Sequence, residues 1–100
     1  MNKYGAYVKF TAKPGERDAL ASLLLEAAAG LQAMTECEVY IINTSDAEPD
    51  AIWVTEVWSS AEAHKASLGD PATKESIARA MPLIAGVESI PVVPLGGKGL

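Results

Sequence analysis

An α+β fold, with a four-stranded antiparallel sheet and helices on one face, is predicted by three observations. Residues 3–12 alternate in polarity, with Tyr4, Ala6, Val8 and Phe10 on one face and Gly5, Tyr7, Lys9 and Thr11 on the other. Leu20, Leu23, Leu24, Ala27, Ala28 and Leu31 then recur at the spacing of one helix face. Finally, residues 52–58 form a strand that runs straight into a second helix and carries both tryptophans.

Taken in order, the first strand is broken by Lys13-Pro14-Gly15. Pro14 suits an early helix position, and Glu16 and Asp18 suit the positive end of the helix dipole in the first turn. The helix that follows should run about five turns, and Gly30 weakens its last turn or ends it. Residues 38–43, rich in Val, Tyr and Ile, read as the second strand, starting near Cys37. Residues 44–50 hold Ser45, Asp46, Pro49 and Asp50 and should form a longish hairpin loop to the third strand. That strand puts Ile52, Val54, Glu56 and Trp58 on one face and Trp53, Thr55 and Val57 on the other. Ser59 with Glu62 has the form of a capping box, which places His64 in the first turn and a half of the next helix. Gly69-Asp70-Pro71 interrupts this helix, and Ile77, Ala80, Met81 and Ile84 mark a further helical face. Pro82 ends or kinks that helix near Ala80. Residues 87–94 read as the last strand, with Pro91 and Pro94 suited to a sheet edge. The order βαββαβ is the split pattern of a ferredoxin-like fold, in which right-handed crossovers put the first and third strands in the middle of the sheet. Both helices then cover one sheet face. The other face carries apolar side chains that nothing in a monomer covers, so a homodimer is expected.

Composition limits the functional classes. The 100 residues correspond to one domain, read here as 1–95 with a flexible tail at 96–100. With 8 basic and 13 acidic residues and no basic run, the formal charge is -5, which disfavours nucleic acid and anionic membranes as partners. No apolar run is long enough to span a bilayer, and the first twenty residues carry too many charges for a signal peptide, so a cytoplasmic location is expected. Cys37 is the single cysteine, read as a small buried hydrophobe, and His64 the single histidine. No Gly-rich dinucleotide fingerprint is present, and no bound cofactor or metal is expected.

Chemistry is concentrated where the third strand meets its helix. Trp58 ends that strand, Glu56 shares its face, and His64 lies one short step beyond. A tryptophan there is a core plug or a pocket wall with an indole donor, and the histidine is a solvated polar group or a proton acceptor. Glu56 is expected to pair with Lys9 on the neighbouring strand, with a role as a base as the alternative. Tyr7 and Tyr40 belong to the strand core or line a pocket, and Arg79 faces solvent or holds a substrate oxyanion.

Lys13-Pro14-Gly15, the segment Glu36-Cys37-Glu38-Val39-Tyr40, and above all Glu56-Val57-Trp58-Ser59-Ser60-Ala61-Glu62-Ala63-His64 resemble the antibiotic biosynthesis monooxygenase family of the dimeric α+β barrel superfamily. The likeness covers nearly the whole chain. It implies two sheets packed into a barrel across a dimer and a pocket in each subunit between sheet and helices. Relatives that oxygenate anthrone-type polyketides without a cofactor use an asparagine, a tryptophan and a tyrosine at the places held here by Val54, Trp58 and His64. The tryptophan is kept, the tyrosine is exchanged for another group able to move a proton, and the asparagine is lost. Haem-degrading relatives need a tryptophan and a histidine near the places of Ser67 and Ile77, so haem degradation is not implied; many members also carry a histidine near Ser67.

The resemblance therefore implies a small cofactor-independent monooxygenase acting with molecular oxygen on a quinol or polyphenolic aromatic substrate. In that reading Trp58, His64 and Glu56 are catalytic, with the Trp58 N–H donating to the substrate anion, and Tyr7, Tyr40, Val54 and Arg79 line the pocket. Two alternatives stand beside it: a non-catalytic dimeric barrel that binds a small aromatic ligand, and a related isomerase or cyclase that needs only the base.

Overall fold

The computed structural model describes residues 2–100. Strand β1 (Tyr4–Ala12) leads through a turn into helix α1 (Arg17–Gly30), followed by β2 (Cys37–Thr44) and β3 (Ala51–Trp58). Helix α2 (Ala61–Ser67), helix α3 (Pro71–Ala80), a 3-10 turn (Met81–Leu83) and strand β4 (Ile84–Val92) complete the chain. The sheet is antiparallel in the order β2-β3-β1-β4, which places the first and third strands centrally and the proline-bearing β4 on an edge, as the element order requires.

Several local expectations are corrected. Pro14 does not enter α1: Glu16 N donates to Lys13 O at 2.9 Å, closing a turn in which Gly15 has φ 79°, a conformation that only glycine adopts without strain. Helix α1 is accordingly 14 residues long, shorter than five turns, and it ends at Gly30. The cap of α2 is Ser60 and not Ser59: the Ser60 hydroxyl accepts from Ala63 N at 3.1 Å, while Ser59 N still bonds Glu36 O at 2.8 Å as part of the strand end. A hydroxyl caps the N–H three residues ahead, and the one-residue ambiguity between two adjacent serines is settled by which of them has already left the sheet. At α3, Asp70 accepts from Ala72 N and Thr73 N, and Pro71 supplies the first helical residue. Pro82 ends the helix near Ala80 as its missing N–H dictates, but Ile84 belongs to β4 and not to the helical face.

The core lies between α1 and the inner sheet face, where Ala6, Val8, Ala12, Ile52 and Val54 meet Leu20 and Leu24. Helix α3 is different: it packs chiefly on α1 and on the 3-10 turn and stands off the strands, with Ala80 as its buried foothold. A space is left beneath it. The outer sheet face exposes Tyr7, Ile41 and Ile90, the last 62% accessible. At Gly5 the outer face is crowded by Val92 and Pro94, whose side chains would come within 2.9 and 3.0 Å of a Cβ there. Among the described residues no helix is long and apolar enough to cross a membrane.

Candidate active site

The space under α3 is a cavity of about 610 Å³, within the range that enclosed small-molecule ligands use. Its walls come from α1 (Leu23, Ala27), from Leu31 and Met34 just beyond it, from α3 (Ile77) and from Met81. Phe10, Ile84 and Val87 line it from the strands, and Glu56, Trp58, Tyr40 and His64 gather at one end.

Strand register builds that end. Glu56 lies opposite Ala6 of β1 and Tyr40 of β2, and Trp58 lies opposite Tyr4, so the carboxylate stands on the inner face with aromatic residues at neighbouring positions. Trp58 is 2% accessible and Glu56 8%. The Trp58 indole Nε1 donates to Glu56 Oε1 at 2.9 Å. From α2, His64 brings Nε2 to 3.6 Å from the same oxygen, its ring edge-on to Trp58 at a centroid distance of 5.5 Å and stacked on Tyr4 at 4.7 Å. The Ser67 hydroxyl, one turn on, donates to the His64 carbonyl oxygen at 2.6 Å. Glu56 lines the cavity, and its Oε2 has no side-chain or backbone donor among the described residues. Burial and, secondarily, the negative charge of Glu56 push the Tyr40 phenol well above its ordinary range, which keeps Tyr40 a neutral O–H donor at any physiological pH. Burial, then Glu56 and Glu38, likewise push the Cys37 thiol up, so it is a poor nucleophile.

The structure thus brings together Trp58, Glu56, His64 and Tyr40, and it alters the part assigned to Trp58: its one N–H is taken by Glu56. The expected Glu56–Lys9 pair does not form. Lys9 lies on the outer face, bonded to Glu48 at 3.0 Å and 5.6 Å from the centre of the Trp53 ring, because it shares parity with Tyr7 while Glu56 shares parity with Val54. Tyr7 is exposed on that outer face and does not line the cavity. Val54 is buried in the core between β1 and β2 and lies outside the cavity lining. Arg79 lines the cavity where α3 meets α1, with Nη2 at 3.4 Å from Glu26 Oε2, both side chains more than half exposed. Tyr4 was missed as a site residue; its place on the Ala6–Val8–Phe10 face was readable, and the antiparallel register that sets it opposite Trp58 was the available signal. Among the described residues no three His, Cys, Asp or Glu side chains gather closely enough to hold a metal ion.

A sheet with β1 and β3 central and helices on one face defines a ferredoxin-like α+β domain, and an apolar cavity with a polar end lies between the two layers. Within that class, the chain belongs to the antibiotic biosynthesis monooxygenase family, whose sequence model matches residues 4–79. A crystal structure from Chloroflexus aurantiacus, described as a candidate antibiotic biosynthesis monooxygenase, is 46% identical over 95% of each chain, with a TM-score of 0.86. A Caulobacter crescentus structure of the same description is 23% identical, with a TM-score of 0.88 over 95% of this chain and 92% of that one. A Nitrosomonas europaea protein of unknown function, 23% identical, has a TM-score of 0.81 over 98% of this chain and 94% of that one. The last two likenesses establish the fold alone. No curated protein matches the sequence.

Proposed function

We propose that the protein is a cofactor-independent monooxygenase of electron-rich hydroxylated aromatics, quinols above all. Family membership and the likeness to the Chloroflexus protein support a monooxygenase role. The observation that carries the finer reading is the Glu56–Trp58–His64 cluster, which lines one end of an apolar cavity with one carboxylate oxygen left without a protein donor. Glu56 is the base that takes the quinol proton, and positioned general-base catalysis contributes roughly 10² to 10⁴ in rate. Trp58 fixes the carboxylate, and His64 at 3.6 Å receives or shares the proton. The Tyr40 O–H, held neutral, donates to the substrate oxyanion, the part first given to Trp58. The quinolate then reduces O₂ at a ring carbon. A carbon hydroperoxide forms and loses water across its O–O bond, so that quinol and O₂ give hydroxyquinone and water.

The test is aerobic turnover of menadiol under ¹⁸O₂ by protein treated with a chelator. Product with one ¹⁸O atom, formed above the uncatalysed rate, supports the reading. Unlabelled quinone with peroxide would make the protein an oxidase, and an unaccelerated reaction would leave a binding protein.

A second copy of the chain is the proposed partner, seated on the outer sheet face. The apolar Tyr7, Ile41 and Ile90 exposed together there support this.

A further inference from the structure

The cavity is longer than the chemistry at its inner end requires. Glu56 lies opposite Ala6 on β1, and Val87 of β4 lies opposite Phe10, four residues further along the same strand. Four residues of antiparallel strand and two strand spacings separate Glu56 from Val87 by about 16 Å on the diagonal of the sheet. The cavity runs the whole of that diagonal, since both residues line it. From the sheet, Glu56 lines it at one end and Phe10 and Val87 at the other, and α3 roofs it without settling on the strands. Polarity changes along this path. Hydrogen-bonding groups that belong to the reaction stand at the Trp58 end, whereas Phe10, Ile77, Met81, Ile84 and Val87 give the far end an apolar floor and wall; the charged Arg79 and Glu26 line the cavity on the other side, where α3 meets α1. That far end is also open. Ile77, Met81 and Val87 are 46%, 58% and 53% accessible, three large apolar side chains around one mouth at the β4 edge. A two-ring quinol placed on Glu56 leaves this stretch empty.

We infer that the substrate is amphipathic: a hydroxylated aromatic head seated at Glu56 and His64 and an apolar chain that runs under α3 and leaves past Ile77, Met81 and Val87. The inference rests on the proposed seating of the head and adds the chain. Chain burial adds free energy methylene by methylene, while the head alone determines the proton transfer. Two methionines, Met34 and Met81, line the cavity, and their unbranched side chains adapt to a chain of variable length.

The experiment uses three probes with one head: 2-methyl-1,4-naphthoquinone with no chain, with a five-carbon and with a ten-carbon n-alkyl chain at the free quinoid position. Dissociation constants are read from quenching of tryptophan fluorescence, and turnover of the chainless quinol is read separately from oxygen uptake. The expected result is affinity rising with chain length, at least tenfold from none to ten carbons, and a rise that collapses in Val87→Asp, a substitution at a half-exposed position that folding tolerates. A second variant, Ile77→Asp, should act the same way from the opposite wall. Equal affinity for the three probes, or a gain that survives in both variants, overturns the chain channel. Failure of the head reading looks different: the chainless quinol is not oxidised, whatever the affinities. A graded gain without turnover therefore keeps the channel and removes the oxygenase.

Discussion

Trp58 and Glu56 are best understood as one unit. An indole N–H bonded to a buried carboxylate is a charge-assisted contact worth about 1.5 to 3 kcal/mol, and removing it leaves the acceptor short of a donor. Trp58→Phe should therefore lower stability by about 2 to 3 kcal/mol in urea unfolding and also reduce turnover, since the carboxylate loses its fixed orientation. Stability unchanged within 0.5 kcal/mol or so would mean that the bond contributes nothing. Tyr40 gives a pH signature. Its phenol ionises near 10 when unfolded and higher when folded, so above pH 10 the unfolded chain holds fewer protons and stability must fall as pH rises. The fall is about 1.4 kcal/mol per pH unit and continues until the folded phenol itself ionises. Cys37 adds a loss of the same sign from near pH 9. Tyr40→Phe should remove one proton's worth of the slope in unfolding measured from pH 9 to 12, and an identical slope would show that Tyr40 ionises freely in the fold.

The helix caps make the cavity roof testable. Asp70 satisfies two N–H groups of α3, which has little support from the sheet, so Asp70→Ala should cost about 1 kcal/mol and raise KM more than it lowers kcat. At α2, Ser60→Ala should cost a similar amount and Ser59→Ala less than about 0.5 kcal/mol, read from thermal unfolding. Reversed values would restore the cap to Ser59. Most of the elements were legible because their patterns are local: the alternation of β1, the Leu20–Leu31 stripe, Pro82 as a stop and the prolines of an edge strand. The strand order followed from handedness alone. What was not legible depended on one-residue choices or on pairings across the sheet. Ser59 and Ser60 have equal capping chemistry, and Ile84 fits a helix face as well as it fits a strand. Lys9 was matched to Glu56 by charge, although parity places them on opposite faces. The closeness of Tyr4, Trp58, His64 and Glu56 emerges only when register and the entry angle of α2 are both known.

At the scale of the molecule, two sheet faces have separate tasks in this account. The inner face holds a core under α1 and a cavity under α3; the outer face, with Tyr7, Ile41 and Ile90, is proposed to meet its copy. Sedimentation should give twice the 10.5 kDa chain mass at micromolar concentration, and Ile90→Lys should shift it toward the monomer. A wild-type monomer would leave the outer face unexplained. The central claim is that the carboxylate in the cavity starts the reaction with oxygen, and one comparison tests it directly. Oxygen uptake with menadiol is measured for wild type and for Glu56→Gln, which keeps shape and an oxygen for the Trp58 N–H while losing the charge that accepts a proton. The account predicts a fall in kcat of about 10²-fold or more with melting temperature nearly unchanged. Accelerated oxidation that is equally fast in the glutamine variant would contradict it.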